Sequence, residues 1–256
     1  MNITQFSDVN EILDILLVKI RSVLRDKLLG LYLNGSLVIG DFEPGISDID
    51  LVAALSSEIS DQEFEELSKM HDNFISNHKE WFDRIEVCYI TVEALKKVKS
   101  KNSMIVIISP GEPINRKEAI KEWLMNWYLL REKSKTLYGP APTTIVEPIS
   151  KEEFIKSVKD HARSWDKWVE DMRNPYAQSY AILALCRAFY VVRNGDQVSK
   201  TKAALWAKEE LLEWSDTIQN AIDWRHGGKY TPTYNKTFPK TVEFINYVRG
   251  LIFNDK

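Results

Sequence analysis

Two aspartates one residue apart, Asp48 and Asp50, head the apolar run LVAAL within the segment NGSLVIGDFEPGISDIDLVAAL, residues 34–55. In an extended strand, side chains at i and i+2 share a face, so the two carboxylates project together while Ile49 and Leu51 turn to the other side. Carboxylates this close repel unless a proton or a cation lies between them. A fold built on this segment must leave the pair in water, at a turn or a sheet edge, or supply a cation. An oxygen-only ligand set suits Mg²⁺ or Mn²⁺. For a lone D-x-D the solvated turn is the commoner outcome, but the apolar flanks ISDIDLVAAL argue against a solvated edge.

A second acid raises the same question. Glu86 interrupts RIEVCYI (Arg84–Ile90), a segment that otherwise reads as a buried or half-buried strand. Pairing with Arg84 on the same face is one explanation; a third acid beside a metal-binding pair is the other. Upstream, Gly35 and Ser36 end an apolar strand where a helix could begin. Backbone N–H groups at such a turn cradle phosphate, and a serine hydroxyl adds a donor. The dipeptide alone carries little information. Followed eleven residues later by Ser47-Asp48-Ile49-Asp50 and then by Glu86, it is far more specific.

The chain has 256 residues, enough for one large domain or two small ones. Periodicity predicts a helix over Asp8–Lys27 capped by Ser7 or Asp8, and strands near Leu28–Asn34, Asp48–Leu55 and Arg84–Ile90. A polar helix is expected over Asp61–Asn77, and helical pattern from NRKEAIKEWLMNWYLLREKS onward. YGPAPTTIVEPIS (Tyr138–Ser150) reads as a linker. The expected organisation is α+β: residues 1–145 form an α/β domain with a small mixed sheet, and residues 146–256 an all-α bundle.

Charge and cysteines narrow the function. Residues 1–150 carry 17 Lys and Arg against 23 Asp and Glu, and the remainder carries 17 against 14. With a pI near 5.9, this balance suits a small-molecule site and disfavours a nucleic-acid binder. Cys88 and Cys186 form no CxxC, which disfavours zinc clusters and disulfide frameworks. The apolar N-terminal stretch is broken by Asp14, Lys19 and Arg21 at amphipathic spacing, so neither a signal peptide nor a membrane span is expected. A cytoplasmic monomer is the expectation.

The glycine-serine turn, the D-x-D and the later strand carboxylate together resemble the nucleotidyltransferases of the polymerase-β type. Over nearly the whole chain the sequence is similar to one branch, the adenylyltransferases that modify streptomycin or spectinomycin. LYLNGSLVIGDFEPGISDIDLVAAL looks like their strand-turn-strand segment and LREKSKTLYGPAP like their domain junction. ILALCRAFYVVRNGDQVSKTKAALWA looks like their helical domain. The resemblance implies ATP as co-substrate and Mg²⁺ held by Asp48 and Asp50, with Glu86 as general base, third metal ligand or both. It implies phosphate contacts from Gly35, Ser36, Ser47, Arg187 and Lys200, adenine stacking on Trp224, and an acceptor pocket lined by Trp168 and Trp165 in a helical domain closing over ATP.

Each of the helical-domain residues has a plainer reading. Arg187 in an apolar helix can snorkel. Lys200 can be an ordinary first-turn lysine, although a cation there opposes the helix dipole. The three tryptophans can be core. The sequence also departs from the streptomycin-modifying relatives, which carry acids where DMRNPYAQSY has Arg173 and Ala177; Asp166, Glu170 and Asp171 are the nearby substitutes. The expected activity is AMP transfer from ATP to a hydroxyl of a small acceptor such as spectinomycin, conferring resistance. The alternatives are the same transfer to an endogenous metabolite or protein, or a nucleotide-binding antitoxin or regulatory module without turnover.

Overall fold

The computed structural model describes residues 3–120, 123–227 and 234–254. The chain divides into two compact units, Met1–Ile149 and Ser150–Lys256. The first is built on a six-stranded mixed sheet. Its strands are β1 (Leu28–Leu33), β2 (Ile49–Leu55), β3 (Ile85–Thr91), β4 (Ser103–Ser109), β5 (Glu112–Ala119) and β6 (Lys135–Tyr138), in the order β5-β4-β3-β2-β1-β6. Only β2 and β3 run parallel. A parallel pair needs a crossover, supplied here by α3 (Asp61–Asn77). That helix starts on a reciprocal cap: Ser60 Oγ accepts from Glu63 N, and Glu63 Oε2 accepts from Ser60 N.

The central strands are apolar at successive positions because both faces of the sheet are covered. On one face Leu31, Leu33, Leu51, Ala53 and Val87 pack with Leu13, Leu16 and Ile20 of α1 (Ser7–Leu24) and Phe74 of α3. The alternate residues Tyr32, Val52, Ala54, Cys88 and Ile90 pack with Trp127 and Leu130 of α5 (Leu124–Lys133) and Ile145 of α6 (Pro142–Ile145). Asp50 and Glu86 continue this second set toward the N-terminal ends of β2 and β3, where both are half-buried.

The structure differs from the sequence reading in three places. The helix expected from NRKEAIKEW onward does not include NRKEA: Asn115–Ala119 belong to β5, hairpinned to β4, and the described helix is Leu124–Lys133. This edge strand is mostly exposed, so its side chains lack the apolar alternation of a half-buried strand, and its charges blunt the open edge. The Tyr138–Ser150 stretch is not bare linker: it carries the end of β6 and the single turn α6. The cap of α1 is Phe6, without a side-chain cap. Thr4 and Asn10 instead lace the preceding turn together, Asn10 Oδ1 accepting from Thr4 N at 2.9 Å.

The second unit is helical among the described residues. It comprises α7 (Lys151–Arg163), α8 (Trp165–Trp168), α9 (Pro175–Asn194), α10 (Lys200–Glu210), α11 (Ser215–Arg225) and α12 (Tyr234–Asn254). Helix α9 is its axis, with α7, α10, α11 and α12 packed around it. This placement is why ILALCRAFYVV is apolar almost all round. Asn174 caps α9 through Ala177 N, Pro175 occupies its first turn, and Gly195 ends it in the left-handed region at φ 70°. Two polar side chains inside the bundle are satisfied by neighbouring helices. Gln178 accepts from Thr241, and Ser179 donates to Ala221 O.

No helix among the described residues is long and apolar enough to cross a membrane. Cys88 and Cys186 are both free and buried.

Candidate active site

In the parallel ladder between β2 and β3, Asp50 lies directly across from Glu86. Registered residues on neighbouring strands are roughly 4.8 Å apart and share a face. Both side chains are half-buried. Asp48 lies just before β2, also half-buried, so the D-x-D straddles the start of the strand. Arg84 donates to the carbonyls of Ser47 and Glu80, and its charge interacts with Asp48 and Asp8.

The glycine-serine turn is folded onto the aspartates. Gly35 has φ 64°, and a β-carbon there would overlap the Asp50 carboxylate, so the position is closed to any other residue on two counts. Asn34 N donates to Asp50 O at 2.9 Å, fastening the turn to the head of β2. Ser36 opens α2 (Ser36–Ile39), a single helical turn. Its hydroxyl oxygen is buried without a hydrogen-bond partner among the described residues. A polar atom left in that state is costly unless a ligand completes it. Ser47 is buried and already employed: its Oγ accepts from Glu43 N at 3.0 Å, closing the loop that leads to Asp48.

The donor set and the cradle fit a hard cation carrying phosphates. Among the described residues no three His, Cys, Asp or Glu side chains form a ready metal cluster. That is compatible with Mg²⁺, which is commonly held by one or two carboxylates, substrate phosphates and water rather than by an all-protein cage. Asp48 and Asp50 are the carboxylates that could hold it.

In the helical unit the structure gathers four of the five expected residues. Trp165 and Trp168 stack edge-on with centroids 5.6 Å apart, and His161 meets them at 6.1 and 5.0 Å. Trp165 also lies 5.8 Å from Tyr180, whose ring carries Lys200 Nζ at 4.5 Å from its centroid. Arg187 acts on His161: burial, and then the Arg187 charge, push the imidazole down to about 4. His161, Trp165 and Trp168 follow one another at i, i+4 and i+7, and Tyr180 and Arg187 at i and i+7. Each set therefore falls on one helical stripe.

The ring of Tyr180 offers Lys200 a partner that offsets the unfavourable helix dipole. Trp165 is a core residue at 2% exposure, whereas Trp168 is 39% exposed and has surface to offer. Trp224 is half-buried near the end of α11, and no ring contact joins it to this cluster among the described residues. The sequence reading had missed His161 and Tyr180. Their helical spacing to Trp165, Trp168 and Arg187 was the available signal.

The acidic substitutes are partly committed elsewhere. Asp166 is paired with Arg249 at 3.1 Å, while Arg173 lies over the Phe238 ring at 4.7 Å.

Comparison with known proteins agrees with this architecture. Residues 17–126 match the family model of the nucleotidyltransferase domain, and residues 144–250 match that of the aminoglycoside adenylyltransferase C-terminal domain. The fold is that of a crystal structure of spectinomycin adenyltransferase AAD(9) from Enterococcus faecialis with ATP and spectinomycin. The TM-score is 0.77 over 96% of this chain and 99% of that one, at 19% sequence identity. A search of curated proteins returns no significant sequence match. With a nucleotidyltransferase domain followed by this C-terminal domain, the chain belongs to the aminoglycoside adenylyltransferases of the nucleotidyltransferase superfamily and is an enzyme of that type.

Proposed function

We propose that the protein transfers AMP from ATP to a hydroxyl of a small aminocyclitol, with spectinomycin the favoured acceptor. The observation that carries the reading is the registered pair Asp50 and Glu86 with Gly35 folded against Asp50. In this reading Asp48 and Asp50 hold Mg²⁺, which when bound neutralises phosphate charge. The Gly35-Ser36 turn receives the phosphates, and Ser36 Oγ finds there the partner it lacks. Ser47 keeps the loop to Asp48 closed. Arg187 and Lys200 are the cations that the helical unit offers to the triphosphate, and Trp224 is proposed for the adenine.

Glu86 accepts the proton of the acceptor hydroxyl. The hydroxyl oxygen forms its bond to the α-phosphorus, and the bond from that phosphorus to the pyrophosphate breaks. Positioning and charge stabilisation do most of the work in such a transfer, so the chain needs one base and a rigid frame. A registered strand pair provides both.

The choice of acceptor rests on charge. A drug with several guanidinium groups wants several carboxylates around it, because a buried unpaired charge is costly on either partner. Here Arg173 and Ala177 stand where acids would serve, and Asp166 is held by Arg249. Spectinomycin asks less of such a surface, and in this reading Trp168 lines its pocket, backed by Trp165.

The experiment is incubation of the protein with ATP, Mg²⁺ and each drug, reading pyrophosphate release and the mass of the product. Spectinomycin should gain one AMP, and streptomycin should react weakly or not at all. Efficient streptomycin turnover would overturn the acceptor assignment. Failure with both drugs would favour an endogenous acceptor for the same chemistry.

A further inference from the structure

Asp50 is fixed by its place in the ladder, but Asp48 lies outside β2 and must be held by other means. Both of its chain neighbours are fastened to one residue. Arg84 Nε and Nη2 donate to the carbonyl oxygen of Ser47 at 3.0 and 2.7 Å, and Ile49 N donates to the carbonyl oxygen of Arg84 at 2.9 Å. The guanidinium is itself braced. Its Nη1 donates to Glu80 O at 3.1 Å, and its plane lies over the Trp81 ring at 4.5 Å from the centroid. Its charge interacts with Asp48 and with Asp8 of α1. It lines a cavity of about 340 Å³ together with Asp8, Glu11, His78, Glu80 and Trp81, so its outer edge is reachable by small solutes.

We propose that Arg84 is the positioning residue of Asp48: it clamps the backbone on both sides of that aspartate and sets a permanent positive charge beside it. The proposal rests on the reading that Asp48 holds the metal that carries ATP. A peptide segment with a negative side chain and no ladder of its own would otherwise swing away from Asp50 by repulsion. The planar fork of arginine can meet one carbonyl with two donors while stacking on an indole, which lysine cannot reproduce.

The test is MgATP binding without acceptor, measured by calorimetry for Arg84→Met, Arg84→Lys, Asp48→Asn and the Arg84→Met/Asp48→Asn double variant, alongside thermal unfolding. Arg84→Met keeps the stem on Trp81 but loses charge and donors, and it should weaken metal-dependent ATP binding about tenfold or more, as expected for a lost charge-assisted contact. Arg84→Lys should recover part of that loss, and it remains informative if the methionine variant does not fold. The double variant should bind no worse than Asp48→Asn alone, because Arg84 acts through Asp48. Wild-type affinity in both Arg84 variants, or losses that simply add in the double variant, would overturn the proposal. Wild-type affinity in Asp48→Asn would remove the metal reading itself, and the proposal with it. Addition of methylguanidinium to Arg84→Ala should restore binding in a dose-dependent way, which loss of a merely structural contact would not allow.

Discussion

Asp50 and Glu86 face each other in register across the only parallel strand pair among the described residues. Adjacency in a ladder makes their separation a property of the sheet rather than of a loop. It also lets the two acids be told apart by experiment. Asp50→Asn should abolish metal-dependent ATP binding with the fold intact. Glu86→Gln should leave MgATP affinity within a few-fold while kcat falls by roughly 10²–10⁴, the usual worth of a general base. Calorimetry beside kinetics separates the outcomes. If affinity and rate fall together in Glu86→Gln, Glu86 is a metal ligand first; a normal kcat would leave it neither role.

Gly35 is the position where sequence freedom is smallest. Its φ of 64° is strained for any residue with a side chain, and the added carbon of Gly35→Ala would overlap Asp50. The backbone conformation alone costs on the order of 1 kcal/mol or more outside glycine. Relief requires moving Asp50 off its place opposite Glu86. Gly35→Ala should therefore lose nearly all transfer activity while unfolding only a few degrees earlier. A fully active Gly35→Ala enzyme would show that the turn does not shape the site.

The three acids at the heads of β2 and β3 could be singled out in the sequence because their signals are local. Asp48 and Asp50 differ from their apolar neighbours at the head of one strand, and Glu86 does so within another. Their meeting was not readable, since register between strands depends on the α3 crossover and on what covers each face. The edge strand β5 was hidden for the opposite reason: with little of it buried, PINRKEA has no alternation to report, and its Lys, Glu and Ala favour helix by propensity. In the helical unit, the spacing of Trp165 and Trp168 reads as core, and only the family resemblance singles them out. That His161 and Tyr180 join them to Arg187 and Lys200 depends on how α7, α8, α9 and α10 pack, and no single helix carries that information.

Lys200 and Arg187 should affect ATP alone. A well-made charge-assisted contact to phosphate is worth about 1.5–3 kcal/mol, or roughly tenfold and more in affinity. Lys200→Ala and Arg187→Ala should each raise the ATP KM by at least that factor and leave the acceptor KM unchanged. Trp168→Ala should do the reverse, since its exposed face is free to line the acceptor pocket while Trp165 keeps the core closed. Steady-state kinetics with each substrate varied in turn gives the answer. A shift in the acceptor KM on removing Lys200 would reassign that lysine.

Two histidines, His71 buried and His161 half-buried, should make the protein sensitive to mild acid. His71 lies against Tyr89, with Nε2 at 2.8 Å from the hydroxyl and Nδ1 buried without a partner among the described residues; His161 lies among Trp165, Trp168 and Arg187. Burial holds both well below the ordinary 6.5, at about 4, and the Arg187 charge adds to the effect at His161. The folded protein thus refuses a proton that the unfolded chain accepts below 6.5. Stability from this source is complete above pH 6.5, falls as pH drops toward 4, and levels off once the folded state is protonated as well. The full loss is on the order of 3 kcal/mol for each histidine. Melting temperature followed from pH 7 to pH 4 should decline, and His71→Gln and His161→Gln should each flatten the slope in their own unit. Arg187→Ala should move the His161 titration upward in an NMR pH series by removing the charge that opposes protonation. If the slope survives both histidine substitutions, the acid sensitivity belongs to other groups.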